Sequence, residues 1–343
     1  MTIIMRKKTG LITAMPSVAL ITLEGCYASS LTGLMDIFQV ANAHARKHFG
    51  DHIEPFEWQF VSHSGGTVKA SGGLALATES LARHDRTHDL VYIPGIFYSG
   101  QDAFEHFLKS QAKLGSWIAR QWQQGAIVAA NCTGTFLLAE VGLLDKRNAT
   151  TTWWLEKRFR QRYPKVNLDI RHLLTEDERL ICAGGIPTYQ HLALRMVEHF
   201  FSPAIASLCA KTLLVDVGQT AQAPFLPLSD ASDHGDSLVA RAQYRLQQDM
   251  RKPLSIRALA EALAVSQRTL TRRFNAALGM QPLTYMQNLR IEAAKQLLEI
   301  TDLNIETILG EVGYSDASSF SRLFLARTGM TPSAYRDRFR RTK

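Results

Sequence analysis

The sequence predicts two domains of different class, an α/β domain with a largely parallel sheet followed by an all-α domain with two helix-turn-helix units. Three observations carry this. Between residues 17 and 217, short β-rich apolar runs alternate with longer amphipathic segments, the order expected when helices cross over between parallel strands. From residue 237 the chain reads as helix almost throughout, and a stretch of 21 residues recurs at an offset of 50. At 343 residues and 46% apolar, the chain is too long for one ordinary domain and has material for two hydrophobic cores.

Taken in order, residues 1–16 read as a tail. Arg6-Lys7-Lys8 followed by a mildly apolar stretch and Leu23-Glu24-Gly25-Cys26 mimics a secretory or lipoprotein signal. Pro16 interrupts the apolar run, however, and Glu24 stands where cleavage needs a small residue, so 18–23 is read as a first buried strand. Further strands are expected at 58–61, 90–93, 126–130 and 180–182, with helices at 31–45, 112–123, 135–141, 188–200 and 203–217. Residues 218–236 are polar and broken by Pro224 and Pro227, which marks a linker between the 17–217 domain and the 237–343 domain.

Charge separates the two parts. Residues 237–343 hold 17 Lys+Arg against 9 Asp+Glu, whereas 1–236 balance at 22 against 22, so the whole +8 excess lies in the C-terminal part. A polyanion would be drawn there, whether nucleic acid or an anionic membrane surface. No run approaches the roughly 18 to 20 apolar residues that a spanning helix needs. Cys26, Cys132, Cys182 and Cys209 form no CxxC pair, which argues against a zinc site or a disulfide framework and for a reducing cytoplasm. Neither a metal nor a cofactor is called for.

The repeat narrows the polyanion to DNA. Residues 270–290 and 320–340 share Arg272/Arg322, Phe274/Phe324, Ala276/Ala326, Gly279/Gly329, Met280/Met330, Pro282/Pro332, Tyr285/Tyr335 and Arg290/Arg340, eight identities in 21, where chance would give roughly one or two. Ile256/Ile305 and Ser266/Ser315 continue it with one residue's shift. Each copy reads as a short helix (256–264; 305–312), a tight turn and a second helix (267–278; 317–328) closed by Gly279 or Gly329 as a C-cap. Leu270, Phe274 and Leu278, and again Phe320 and Phe324, recur at helical spacing and should face a core. Arg268, Thr271, Arg272 and Asn275 are left outward in the first copy, and Ser318, Ser319 and Arg322 in the second. Arginine reads guanine edges bidentately, and short hydroxyls let a helix lie close to phosphates. Ser266 and Ser315 are expected as N-caps, ordering N–H groups that a phosphate can also meet. For a single helix, a solvated bundle face is the simpler account of such residues; duplication together with the basic excess favours DNA. A long helix at 282–300, with Leu289, Ala293 and Leu297 on one stripe, would hold two reading helices for adjacent major-groove turns, roughly 34 Å apart.

Residues 237–340 closely resemble the AraC/XylS family of bacterial regulators, above all in Gly310-Glu-Val-Gly-Tyr-Ser-Asp-Ala-Ser-Ser-Phe-Ser-Arg-Leu-Phe and Gly329-Met-Thr-Pro-Ser-Ala-Tyr-Arg336. The resemblance implies promoter DNA and RNA polymerase as partners. Leu309 departs from the family's small alanine, which predicts looser packing in the second unit.

In the N-terminal domain, Ala126-Ile-Val-Ala-Ala-Asn-Cys132-Thr-Gly-Thr-Phe-Leu-Leu-Ala sets a cysteine between a buried strand and a helix. That is a nucleophile-elbow arrangement, in which a helix N-terminus is expected to lower the thiol pKa. A buried inert cysteine is the bland alternative. With Leu20-Ile-Thr-Leu-Glu-Gly25, Gly33-Leu-Met-Asp-Ile-Phe-Gln-Val-Ala-Asn42, Asp89-Leu-Val-Tyr-Ile-Pro-Gly95 and Ala149-Thr-Thr-Thr-Trp153, the stretch resembles the PfpI-type, class I glutamine-amidotransferase-like domain of GlxA-like regulators. The resemblance implies a doubly wound, flavodoxin-like fold and pairing of two copies through this domain. Where relatives carry histidine before the tryptophan this chain has Thr152, and the family's acid falls near Ser30. Neither residue shuttles a proton, and only His172, His191 or His199 could substitute through the fold. The expectation is a pocket kept and a reaction lost. A small effector, amino-acid-derived or quaternary ammonium by the resemblance, would bind near Ile96, Cys132, Thr133, Thr152 and Trp153, with Trp153 and Trp154 as a cation–π wall. The open alternatives are a cysteine-dependent enzyme fused to a DNA-binding domain, and a thiol redox sensor acting through Cys132.

Overall fold

Ser17–Ile21 (β1) is a run of small and branched apolar residues buried on nearly every side, as a central strand of a parallel sheet must be. It pairs in parallel with Glu57–Ser62 (β2) on one side and Leu90–Ile93 (β5) on the other, Val18 facing both Trp58 and Leu90. The computed structural model describes residues 16–50, 54–83, 86–218, 221–226 and 235–340; the expected tail therefore lies, apart from Pro16, outside the described residues, as do 219–220 and 227–234 of the expected linker. The chain divides into two compact units, Met1–Gln222 and Ala223–Lys343.

In the first unit the sheet extends through Ile127–Asn131 (β6) to Leu180–Ala183 (β10), and through β2 to Ala75–Ser80 (β4). Its order is β3-β4-β2-β1-β5-β6-β10-β9. Only the edge strands, Gly66–Lys69 (β3) and Leu174–Asp177 (β9), are antiparallel. A two-stranded ribbon, Asn148–Ala149 (β7) with Asn167–Leu168 (β8), stands apart. Ala28–Phe49 (α1), Tyr189–Phe200 (α6) and Pro203–Thr212 (α7) pack as one helix group. Gln101–Ser110 (α2), Ala112–Gln123 (α3) and Thr135–Glu140 (α4) pack as another. Glu156–Arg162 (α5) follows the Trp153 turn, its Phe159 buried on Phe136. This is the largely parallel sheet that the alternation predicted, in the doubly wound arrangement that the resemblance implied. The order reverses between β1 and β5, and in such sheets the carboxyl ends of the strands at that point form the natural site. The β3–β4 hairpin, β9, α2 and α5 were not foreseen, and α7 stops at Thr212, five residues short of the expected end.

In the second unit, Ser237–Gln248 (α8) precedes the two reading units. These are Ile256–Ala262 (α9) with Gln267–Leu278 (α10), and Ile305–Glu311 (α12) with Ala317–Thr328 (α13). Pro282–Ile300 (α11) runs between them and Pro332–Phe339 (α14) closes the chain. Each reading unit has its own core: Leu259, Leu270, Phe274, Tyr285 and Met286 in the first, and Ile308, Val312, Phe320, Phe324 and Tyr335 in the second. The α11 helix serves both, but through Tyr285, Ile291, Ala294 and Leu298; the expected stripe of Leu289, Ala293 and Leu297 lies at its margin, half-buried. Leu309 is 5% exposed inside the second core, so the extra bulk is packed, not left loose.

Candidate functional site: the reading helices and the Cys132 turn

Two equivalent helices present the same kind of face. Both end in a glycine held in the left-handed region, Gly279 at φ 66° and Gly329 at φ 73°, where a Cβ would be strained. Ser266 caps α10, its hydroxyl accepting from Thr269 N at 3.1 Å. In the second copy the cap is Asp316, which accepts from Ser318 N and Ser319 N, so Ser315 is not the cap. A carboxylate one residue later takes the N–H groups more strongly than a hydroxyl. With Phe274 and Phe324 wholly buried beneath, Arg268, Arg272 and Asn275 stand exposed on α10 and Thr271 is half-buried. On the second unit Ser315, Ser318, Ser319 and Arg322 are exposed, and Arg322 reaches back to the Ser319 hydroxyl. Arg273, unlike its neighbours, is committed internally: it grips Asp236, the residue whose carboxylate caps α8.

The turns that set each reading helix need a positive φ. Gly313 supplies it at 79° in the second copy, where an added Cβ would lie 2.8 Å from the carbonyls of Met250 and Arg251. At the equivalent point of the first copy Ala264 adopts φ 56° despite its side chain.

In the first unit Cys132 follows β6 with φ 55° and is 1% exposed. The left-handed backbone of a nucleophile elbow is thus kept at a non-glycine residue. Close neighbours demand glycine: a Cβ at Gly134 would meet the Pro94 carbonyl at 2.5 Å, and one at Gly95 would meet Cys132 Cβ at 3.0 Å. Thr133 locks the turn to the loop after β5, its hydroxyl accepting from Ile96 N at 2.6 Å and donating to Ile96 O at 2.8 Å. Thr151 donates to the Cys132 carbonyl at 2.8 Å. Ile96, Cys132, Thr133 and Thr152 therefore converge, all buried, with Trp153 half-buried beside them.

The expected lowering of the thiol pKa is corrected here. Burial pushes Cys132 up to about 11, and the hydrogen bonds from Thr133 and Thr152 offset this only in part. A six-residue helix and two hydroxyls carry too little positive potential to outweigh lost hydration. No histidine is among the groups that shift the Cys132 thiol; His172 pairs with Asp169, His191 with the Asp216 carbonyl, and His199 meets the Phe200 ring edge-on. Ser30 is buried, donates to the Tyr27 carbonyl, and adjoins the Tyr92 phenol, whose pKa burial raises. Outside the turn lies an aromatic rim that spacing alone did not show. Tyr98 meets Trp154 edge-on at 5.4 Å, Arg158 covers Tyr98 at 5.5 Å, and Phe97 and Trp154 are exposed. Among the described residues no cluster of potential metal ligands occurs, and no helix is long and apolar enough to cross a membrane.

Residues 16–199 match the DJ-1/PfpI family and residues 259–338 a helix-turn-helix domain. The HTH-type transcriptional regulator CdhR of Pseudomonas aeruginosa is 27% identical over 284 residues, 82% of each chain. The regulator GbdR of the same organism is 22% identical over 92% of this chain and 83% of its own. A putative transcriptional regulator from Vibrio parahaemolyticus, 20% identical, superposes with a TM-score of 0.50 over 58% of this chain and all of its own, and so shares the fold. With the first match spanning more than half of the sequence, the chain belongs to the DJ-1/PfpI family, joined here to an AraC-type helix-turn-helix domain in the architecture of a transcriptional regulator.

Proposed function

We propose that this protein regulates transcription by sequence-specific binding to promoter DNA, and that its first unit binds a small effector without turning it over. One observation carries the reading. Two homologous helices, each seated on its own aromatic core, leave Arg268, Arg272 and Arg322 exposed to solvent with Ser266, Ser315, Ser318, Ser319 and the half-buried Thr271 around them. Arginines contribute base readout and the hydroxyls phosphate contacts. The relatives' names as HTH-type regulators support it, and RNA polymerase, a second copy of the chain and a cytoplasmic setting belong to the same proposal.

Loss of catalysis is supported by a thiol held protonated and by Thr152 where a base would stand. The same two facts disfavour both the cysteine-enzyme and the redox-sensor alternatives, since the thiolate is the reactive species. Ile96, Cys132, Thr133, Thr152 and Trp153 remain the proposed ligand contacts, reached past Phe97, Tyr98 and Trp154. Arg158 already covers Tyr98, so the exposed faces of Trp154 and Phe97 are what suits an effector bearing a quaternary ammonium or amino-acid-derived cation. Selection of bound genomic fragments, followed by melting of the protein with a panel of such metabolites, tests both halves. Binding without sequence preference would sink the first, and no stabilisation by any metabolite at millimolar concentration would sink the second.

A further inference from the structure

The repeat that relates the two reading helices also marks where they differ. At the offset of 50, Arg272 corresponds to Arg322 and Phe274 to Phe324, but the next residue is Asn275 in α10 and Leu325 in α13. Both are exposed, Leu325 to 47%. At about 100° of turn per residue, Arg268, Arg272 and Asn275 fall within a sector of about 60°, and Ser318, Arg322 and Leu325 fall within the same sector of α13. Leu270 and Phe274, and likewise Phe320 and Phe324, are buried on the side turned away from it. Each of the two positions lies about 4.5 Å of helix axis beyond its arginine, close to one base-pair step of about 3.4 Å.

Neither side chain is spent inside the protein. Among the described residues the Asn275 amide forms no hydrogen bond; only its backbone carbonyl is used, accepting from Gly279 N at 2.8 Å. Leu325 gives its carbonyl to Gly329 N in the same way, and its side chain stays outside the core of the second reading unit. Single exposed leucines are ordinary on protein surfaces. What sets this one apart is its place, in line with Arg322 and with only small residues, Ser318, Ser319 and Ala326, to either side. Such a face lets α13 lie deep enough in a groove for a short aliphatic side chain to touch its floor. A leucine gains nothing from a phosphate, and the major groove offers one apolar group, the methyl of thymine. Asparagine has the donor and acceptor that match adenine N7 and N6.

We propose that Asn275 and Leu325 determine sequence specificity, Asn275 by reading an adenine beside the guanine that Arg272 contacts, and Leu325 by packing on a thymine methyl beside the guanine that Arg322 contacts. This rests on the DNA-binding reading and names bases at that same site. Two helices of common origin then address unlike subsites: an arginine is shared, and the residue after Phe274 or Phe324 tells the subsites apart. The operator is accordingly asymmetric, and the chain has one orientation on it.

The probe is double-stranded DNA enriched from a random pool by the full wild-type chain. Replacing the thymine of the Leu325 subsite by deoxyuridine deletes only the methyl. It should weaken wild-type binding about two- to fourfold, the worth of one buried methyl, and should leave binding by Leu325→Ala unchanged. Replacing the adenine of the Asn275 subsite by 7-deazaadenine should cost wild type about fivefold or more and Asn275→Ala nothing. A fresh enrichment with Leu325→Asn should exchange thymine for adenine at that one position and keep the other subsite as it was. Both side chains are exposed, so the variants should melt with wild type, which separates lost readout from lost folding. An unchanged enriched sequence with Leu325→Asn, or a deoxyuridine effect that is absent in wild type or equal in Leu325→Ala, would overturn the assignment. Enrichment of no sequence by wild type would overturn the DNA reading, and this inference with it; a clear operator indifferent to both substitutions would overturn the inference alone.

Discussion

The thiol of Cys132 offers a decisive measurement, because the sequence arrangement suggests a nucleophile and the folded surroundings oppose one. Its pKa is raised from an ordinary 9.0 to about 11, chiefly by burial. At pH 8 the thiolate fraction is therefore about one in a thousand, against about one in ten for an unperturbed thiol, a hundredfold loss of the reactive form. Exposure of 1% slows a reagent further, since labelling must await a local opening. Stopped-flow reaction with an aromatic disulfide reagent, followed by mass spectrometry of the labelled peptides, should show Cys132 reacting at pH 8 more than a hundredfold slower in the folded chain than in urea. The rate should then climb tenfold per pH unit up to about 11. Rapid stoichiometric labelling of Cys132 at neutral pH would refute the argument from burial. It would also return the cysteine enzyme or the redox sensor to first place.

The remaining expectations concern the second unit and alkaline pH. Arg268→Ala and Arg272→Ala should each relax sequence preference by about 1–3 kcal/mol, read as binding to correct against mismatched fragments; an equal loss on every sequence would argue for phosphate contact alone. Ala264→Gly should stabilise the protein by about 0.5–1 kcal/mol, the left-handed strain of roughly 1–2 less the entropy of the more flexible unfolded chain. Gly313→Ala should cost about 2–4 kcal/mol through its clash with the 250–251 carbonyls; denaturant melts giving the opposite order would disprove the turn assignment. Cys132, Cys182 and Cys209 are held protonated with values of about 11, 12 and 11. Folding thus favours the proton-bound form, and their contribution is complete below pH 9 and declines as pH rises toward 12; stability that grows over that interval would contradict the burial of these thiols.

How much could be read beforehand depended on how local the determinant was. The ranges 267–278, 282–300 and 317–328 coincide with α10, α11 and α13, because their ends carry punctuation: capping residues, Pro282, Gly279 and Gly329; 112–123 coincides with α3 although no side chain caps its start. The β3–β4 hairpin escaped notice because it lies at the sheet edge, with most of its residues exposed or half-buried and no apolar run to mark it. Ser315 is not the cap because the Asp316 carboxylate, one position later, takes the free N–H groups of α13. Long-range effects were beyond reach in another sense. Nothing local in Cys132-Thr-Gly says that Ile96 will bond Thr133 from both its N–H and its carbonyl, nor that burial will prevail over the helix N-terminus. Tyr98 joins Trp154, and Phe97 joins Tyr27, only once the chain is folded.

Gln222 shows the same limit from the opposite side. Lying between Gly218 and Gly235 among prolines and small polar residues, a glutamine carries every mark of solvated linker. Only the folded chain reveals four acceptors converging on its amide and a glycine cleared to admit it. Flexible composition is a statement about what the backbone could do unattached, and a few hydrogen bonds at a committed seat outweigh it.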